Sequence, residues 1–341
     1  MPIPVYLLAT GHAVPDRVVT NADLVQFPAA MLPMIAVKTG IRERRHADDA
    51  TATSDLALLA ARRCLERAGL SPSDLGGIIV GTCCADKVIP PTAAIVHAGL
   101  HAPTSAFAFD VGAVCSSGVF ALTVAAGLLP IAKGPILAIA ADTTSKLMNP
   151  RDFSTYPYFG DGAGAVLVGS TTHAGKAWAR LCSDETILGC DGTGQHVIEI
   201  PAGGTREPSP QCSDPKRFWF RMEGRKVLEF AIEKGSMMVN ALAAHAGGER
   251  GVHAVVLHQA NINIIQGIAD RCGLPRALFP VNLDRYGNTG APGVFIALDE
   301  LARSGPIPDG RSVVLGVFGG GLAWAGCRLV GISSHPSVAG P

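Results

Sequence analysis

Three polar side chains stand in apolar, small-residue surroundings: Cys115, His258 and Asn288. Cys115 lies in AFAFDVGAVCSSG (106–118), which reads as a strand running into a sharp turn, with a helix beginning at or just after the cysteine. A thiol at a helix start faces free N–H groups and the positive end of the helix dipole, so Cys115 is expected to have a lowered pKa and to act as a nucleophile. Free cysteine ordinarily only packs in a core, and that is the expectation for the other eight of the nine cysteines. His258 in VVLHQAN (255–261) ends an apolar strand, at the edge where open α/β sheets place reactive groups. Asn288 lies in DRYGNTGAPG (284–293), a Gly-flanked loop that by itself reads only as a turn. FGGG at 318–321 follows a strand and offers amides without side chains. Such amides beside a thiol suit covalent chemistry with a stabilised oxyanion.

The elements that must position these groups follow an α/β rhythm. Apolar runs at 77–80, 136–141, 255–257 and 313–318 alternate with helix-length segments, as in sheets buried on both faces. Residues 54–69 read as one helix, with Ser54 as its cap and Gly69 at its end. GVFAL at 118–122 is echoed by GVFIAL at 293–298, and the strand at Ile78 by that at His253, both at an offset of 175 residues. Ile136 matches Val313 at an offset of 177. Each half is expected to run helix, strand, loop, short strand, helix, strand, so that a pseudo-twofold duplication brings Cys115 and Asn288 to one crevice. GDGAG at 160–164 lacks the flanking strand and distal acidic residue of a dinucleotide fingerprint, and is expected to be a hairpin or tight turn before a strand at 165–169.

Composition excludes several classes. Lys+Arg 28 against Asp+Glu 28 leaves no net charge, and no segment carries more than a few like charges in a row, which argues against nucleic-acid binding. With 48% apolar and 16% charged residues, the chain has too much burial capacity to be disordered. The cysteines form no CxxC pair and no zinc-type spacing, so neither a disulfide framework nor a metal site is expected. The N-terminal residues lack a basic signal-peptide start, and Gly, Pro or charge breaks every long apolar run, so a soluble cytoplasmic protein with no membrane partner is expected.

Taken together, GHAVPDRVVTNADL (11–24), TGIRERR (39–45), the Cys115 segment, FGDGAGAVLVG (159–169), HQAN (258–261), YGNT (286–289) and FGGGLAW (318–324) resemble the β-ketoacyl-acyl-carrier-protein synthase III family of the thiolase superfamily. The resemblance implies a five-layered α-β-α-β-α fold of two pseudo-repeated halves, 1–172 with the cysteine and 173–333 with the histidine and asparagine, followed by a tail at 334–341. It also implies a homodimer and a Cys115, His258, Asn288 triad. By that likeness Cys115 takes an acyl group from a thioester, its oxyanion held by the amides of Cys115 and Gly320. His258 and Asn288 then stabilise the enolate formed as a malonyl-type thioester loses CO2. No metal or redox cofactor is implied; acyl and malonyl groups arrive on coenzyme A or on the phosphopantetheine of an acyl carrier protein.

The family's arm-binding segments match at Asn261 and Gly224. Met34, Lys38 and Phe153 stand where members usually hold the nucleotide of coenzyme A, which implies a weakened clamp and a preference for carrier-bound donors. Asn263 and Asp270 replace basic residues of the carrier-docking helices. Ile89, where many relatives reach across the dimer with Phe, implies room for a longer or bulkier acyl group. These departures imply a specialised ketosynthase. The other readings are an acyltransferase to a hydroxyl or amine, and a silent partner subunit.

Overall fold

The computed structural model describes residues 4–332, so the expected tail at 334–341, together with residue 333, lies outside the described residues. Nine strands form one sheet. The first half supplies β1 (Val5–Ala13), β2 (Gly77–Gly81), β3 (Phe107–Val111), β4 (Ile136–Thr143) and β5 (Asp161–Gly169). The second supplies β6 (Ala179–Cys190), β7 (Val252–Leu257), β8 (Ser312–Gly319) and β9 (Ala323–Gly331). Their spatial order is β7-β8-β9-β6-β1-β5-β4-β2-β3. Read outward from the centre, β1-β5-β4-β2 and β6-β9-β8-β7 follow the same course. The directions agree as well: β4 runs parallel to β2 and antiparallel to β5, and β8 runs parallel to β7 and antiparallel to β9. The halves join where Val5, Tyr6 and Leu7 of β1 pair with Leu181, Arg180 and Ala179 of β6.

The principal helices are α1 (Pro33–Thr39), α2 (Thr53–Ala68), α3 (Thr92–Leu100), α4 (Ser117–Leu128), α5 (Gly224–His245), α6 (Ile262–Cys272) and α7 (Gly293–Ser304). Strand alternation sorts them into five layers. Ile79 of β2 packs inward with Val119 and Leu122 of α4 and Val294 and Phe295 of α7. Its neighbours Ile78 and Val80 pack outward with α2 and α3. In the second half Val313 and Leu315 face the same central helices, while Val314 packs outward against α5 and α6. The central pair α4 and α7 is thus sealed between two sheet faces. α4 and the first turns of α7 carry near-continuous apolar text because they are buried between those faces, and α7 turns polar from Asp299 toward its exposed end at Arg303 and Ser304. Among the described residues no helix is long and apolar enough to cross a membrane.

Three local expectations are corrected. Helix α2 starts one residue earlier than Ser54, because the Asp55 carboxylate accepts the Ala52 N–H at 2.8 Å and closes the first turn; Gly69 ends it in a left-handed conformation, as expected. GDGAG is no hairpin. From Asp161 onward it is the first part of β5, and its glycines serve helix approach: a Cβ on Gly164 would lie 2.5 Å from Cβ of Phe295 in α7. Among the described residues the second half also lacks a counterpart of the short strand β3. There, the Gln259 side chain donates to Leu257 O (2.9 Å) and Pro280 O (3.2 Å) and accepts from Asn282 N–H (3.0 Å). One buried amide so satisfies backbone groups that a fifth strand would pair, in a segment where Pro280 has no N–H to give.

Candidate active site

Cys115 sits in a one-turn 3-10 helix, Val114–Ser116, directly ahead of α4. The turn is held open at a cost. Val114 has φ +49°, a left-handed conformation that β-branched residues rarely adopt. Ser117 braces it: its hydroxyl donates to Val114 O at 2.7 Å and accepts the Ala113 N–H at 2.8 Å. Ser116 ties the turn across the molecule, donating to Ala323 O of β9 at 3.0 Å. The seat on the other half is Gly319, where a Cβ would lie 2.9 Å from the Cys115 amide nitrogen.

His258 follows β7, its N–H donating to Gly316 O at 2.8 Å and its ring edge-on to Phe318 at 5.5 Å. Asn288 is pinned by its backbone to the segment before β5: its N–H donates to Tyr158 O (2.8 Å), and Gly160 N–H donates to its carbonyl (2.9 Å). Its side-chain Oδ1 accepts the Gly290 N–H at 3.0 Å. That bond identifies the oxygen end of the amide and leaves Nδ2 as the donor available to a ligand.

Cys115, His258 and Asn288 line one cavity of about 690 Å³, together with Phe318 and Gly319. The expected low pKa of the thiol is not found. Burial pushes Cys115 well above its ordinary value, the nearby Cys83 and Asp142 push the same way, and the bond from its own amide only partly opposes them. Burial likewise lowers His258 to about 4. A helix start does favour a thiolate, yet burial at the cavity floor disfavours charge more strongly. The resting pair is therefore a neutral thiol beside a neutral imidazole.

The remaining expected residues divide. Lys38, Gly224 and Asn261 line the cavity, Asn261 also capping α6 by accepting the Asn263 N–H at 2.8 Å. Gly320 stands just beyond Gly319, its α-carbon packed toward Ile198 and Val114. Met34 is exposed on α1, outside the cavity lining. Phe153 is turned into the core, edge-on to Phe27 at 5.2 Å, while its neighbour Ser154 lines the cavity. Ile89 is 83% exposed and lies outside this cavity. Sequence reasoning missed the aromatic wall, Phe220 and Phe230, and the mouth residue Arg225. Arg225 had a signal, standing directly after Gly224 in the same segment.

A five-layered α-β-α-β-α architecture with a Cys, His and Asn cavity between pseudo-repeated halves defines a thiolase-fold condensing enzyme. The family comparisons agree. The profile described as 3-Oxoacyl-[acyl-carrier-protein (ACP)] synthase III matches residues 109–184, and that of its C-terminal part matches residues 242–330. A β-ketoacyl-acyl-carrier-protein synthase III of Caldanaerobacter subterraneus subsp. tengcongensis is 39% identical over 94% of this chain and 95% of its own. Acetoacetyl CoA synthase NphT7 of Streptomyces sp. strain CL190 is 40% identical over 93% of this chain and 95% of its own. Among solved structures, 3-oxoacyl-acyl-carrier-protein synthase III from Aquifex aeolicus VF5 superposes with a TM-score of 0.83 at 30% identity, covering 96% of this chain and 99% of that one. The priming β-ketosynthase of the R1128 polyketide pathway does so at 0.86 and 28% identity, covering 97% of each. The chain belongs to the β-ketoacyl-acyl-carrier-protein synthase III family.

Proposed function

We propose that this chain is a specialised member that catalyses a decarboxylative Claisen condensation. The Cys115 sulfur attacks an acyl thioester, its proton leaving with the departing pantetheine thiol. The amides of Cys115 and Gly320 hold the oxyanion, a single such donor contributing about 3 kcal/mol in acyl transfer. A malonyl-type thioester then enters, and its thioester carbonyl accepts hydrogen bonds from His258 and Asn288. Loss of CO2 leaves an enolate whose charge those donors stabilise. Its carbon attacks the acyl carbonyl, releasing a β-ketoacyl thioester and the Cys115 thiolate, which takes a proton from solvent.

The observation that carries this reading is the Gly290 N–H bond to Asn288 Oδ1, which leaves Nδ2 to donate to a substrate. A simple acyl transfer has less need of a second donor to an enolate. The neutral His258 supports a donor role too, since an imidazole kept uncharged by burial gives an N–H without first capturing a proton. Lys38 and Arg225 line the cavity, where a phosphopantetheine phosphate would favour positive charge. With Met34 and Phe153 outside the lining, carrier-bound donors should outperform coenzyme A donors. We place the enzyme in the cytoplasm as a homodimer. The unpaired outer edge of β3 and the exposed Val88 and Ile89 support that assembly.

Intact mass after exposure to acyl thioesters tests the reading. Cys115→Ala should show no acyl adduct, Cys272→Ala a normal one, and the wild-type adduct should be discharged by a malonyl thioester. Discharge only by an alcohol or amine would establish acyl transfer instead, and no wild-type adduct would establish a silent subunit.

A further inference from the structure

One fully buried carboxylate joins the loops of the two halves. Asp142, near the end of β4, has no exposed surface. Its Oδ1 accepts from Thr82 Oγ1 at 3.0 Å and from Cys83 N–H at 2.8 Å, both on the segment that follows β2. Its Oδ2 accepts the Ala291 N–H at 2.8 Å, in the loop that carries Asn288. The intervening Gly290 has φ +78° and lies so close that a Cβ there would stand 2.6 Å from Oδ2. Gly290 in turn gives its own N–H to Asn288 Oδ1. Cys83, Cys84 and Asp142 bring ligand-type atoms within 4.8 Å of one another. The carboxylate oxygens already serve amide and hydroxyl donors, so these contacts make Asp142 an anchor for loops.

We propose that Asp142 is a positioning residue that fixes the orientation of the Asn288 amide by holding the 290–291 backbone, and so serves the enolate step and not the acylation of Cys115. This inference rests on the role assigned to Asn288 above. The residue type follows from the donors: only an ionised carboxylate accepts at both oxygens, whereas an asparagine would aim an N–H at one of them. Burial raises the Asp142 carboxyl to about 6, which leaves it ionised at neutral pH and able to accept at both ends.

The test is a double-mutant cycle on the holoenzyme, with the acylation burst and the malonyl-dependent discharge of acyl-Cys115 read separately. Asp142→Asn should slow discharge by roughly 10- to 100-fold and leave acylation no slower than wild type, because losing its charge relieves the upward push on the Cys115 thiol; Asp142→Asn combined with Asn288→Ala should be no slower than Asn288→Ala alone. Independent effects that multiply in the double variant, or acylation lost as fully as discharge, would overturn the proposal. If Asn288→Ala alone reduces acylation as much as discharge, the role of Asn288 falls and this inference with it. Should Asp142→Asn fail to fold, Thr82→Val removes one donor to the same carboxylate at a distance from Asn288. It should slow discharge about two- to fivefold, again without further effect on the Asn288→Ala background.

Discussion

The two halves share strand order, strand directions and a central helix, yet they do opposite work at the cavity. The first half presents the proposed nucleophile on a braced, strained turn: Val114 at positive φ, with Ser117 bonding both sides of it. The second half presents the proposed hydrogen-bond donors from relaxed loops, His258 at a strand end and Asn288 backed by Gly290. Duplication therefore supplied the frame, and divergence at the strand-end loops supplied the chemistry. Neither Cys115 nor Asn288 is held by its own half unaided, whereas His258 is. The Cys115 turn is seated on Gly319 and tied to Ala323 of the second half, while the Asn288 loop hangs from Tyr158, Gly160 and Asp142 of the first.

This exchange of supports can be broken most severely at Gly319. An added Cβ would stand 2.9 Å from the Cys115 nitrogen and must displace either the turn or the end of β8. Gly319→Ala is expected to slow acylation by roughly 100-fold or more, since small displacements of a reacting group cost that much. The rate of mass gain with an acyl thioester checks this. Acylation at the wild-type rate would mean that the second half does not set the nucleophile.

The asymmetry at the sheet edge predicts a somewhat smaller loss, in stability. Gln259→Leu orphans Asn282 N–H, Leu257 O and Pro280 O, which the first half would satisfy with strand pairing. About 2–4 kcal/mol should be lost, because buried groups left unpaired forfeit their solvation. Denaturant unfolding measures it, and a loss below about 1 kcal/mol would show that Gln259 does not replace the missing strand.

A third comparison uses pH, and its expected effect is the smallest. Below about pH 6.5 an unfolded histidine takes a proton that folded His258 refuses until about pH 4, so this residue's contribution makes stability fall as pH falls through that window. Between pH 7.5 and 5 the contribution is about 2 kcal/mol. Asp142 opposes it, since the folded carboxyl takes its proton near pH 6, before the unfolded one does. Wild type and His258→Asn should therefore differ in how far the unfolding free energy drops between those two pH values, with the wild type losing more. Equal drops would mean that His258 is not held neutral by burial.

Much of the site was legible before any fold was known. Cys115, His258 and Asn288 could be picked out because each is a reactive or polar type set in text otherwise devoted to packing, and the 175-residue offset already implied that two of them share a crevice. The strands at 77–81 and 312–319 were legible for a related reason: an uninterrupted short apolar run bounded by glycine fits a doubly buried strand. The glycines of GDGAG were misread because sequence reports a missing side chain without saying what occupies its place, which here is Phe295 of α7.

Sequence by itself determined the fold's duplication and singled out the three side chains that the fold gathers in one cavity, since both are written in residue type and spacing. Only the tertiary structure decided that Cys115 rests as a thiol, that Gln259 stands in for a strand and that Asp142 anchors the Asn288 loop. The physical reason is the same in each case. Desolvation and hydrogen-bond pairing depend on which atoms the fold brings together, over 23 residues for Gln259 and Asn282 and over 149 for Asp142 and Ala291, and no local pattern encodes that approach.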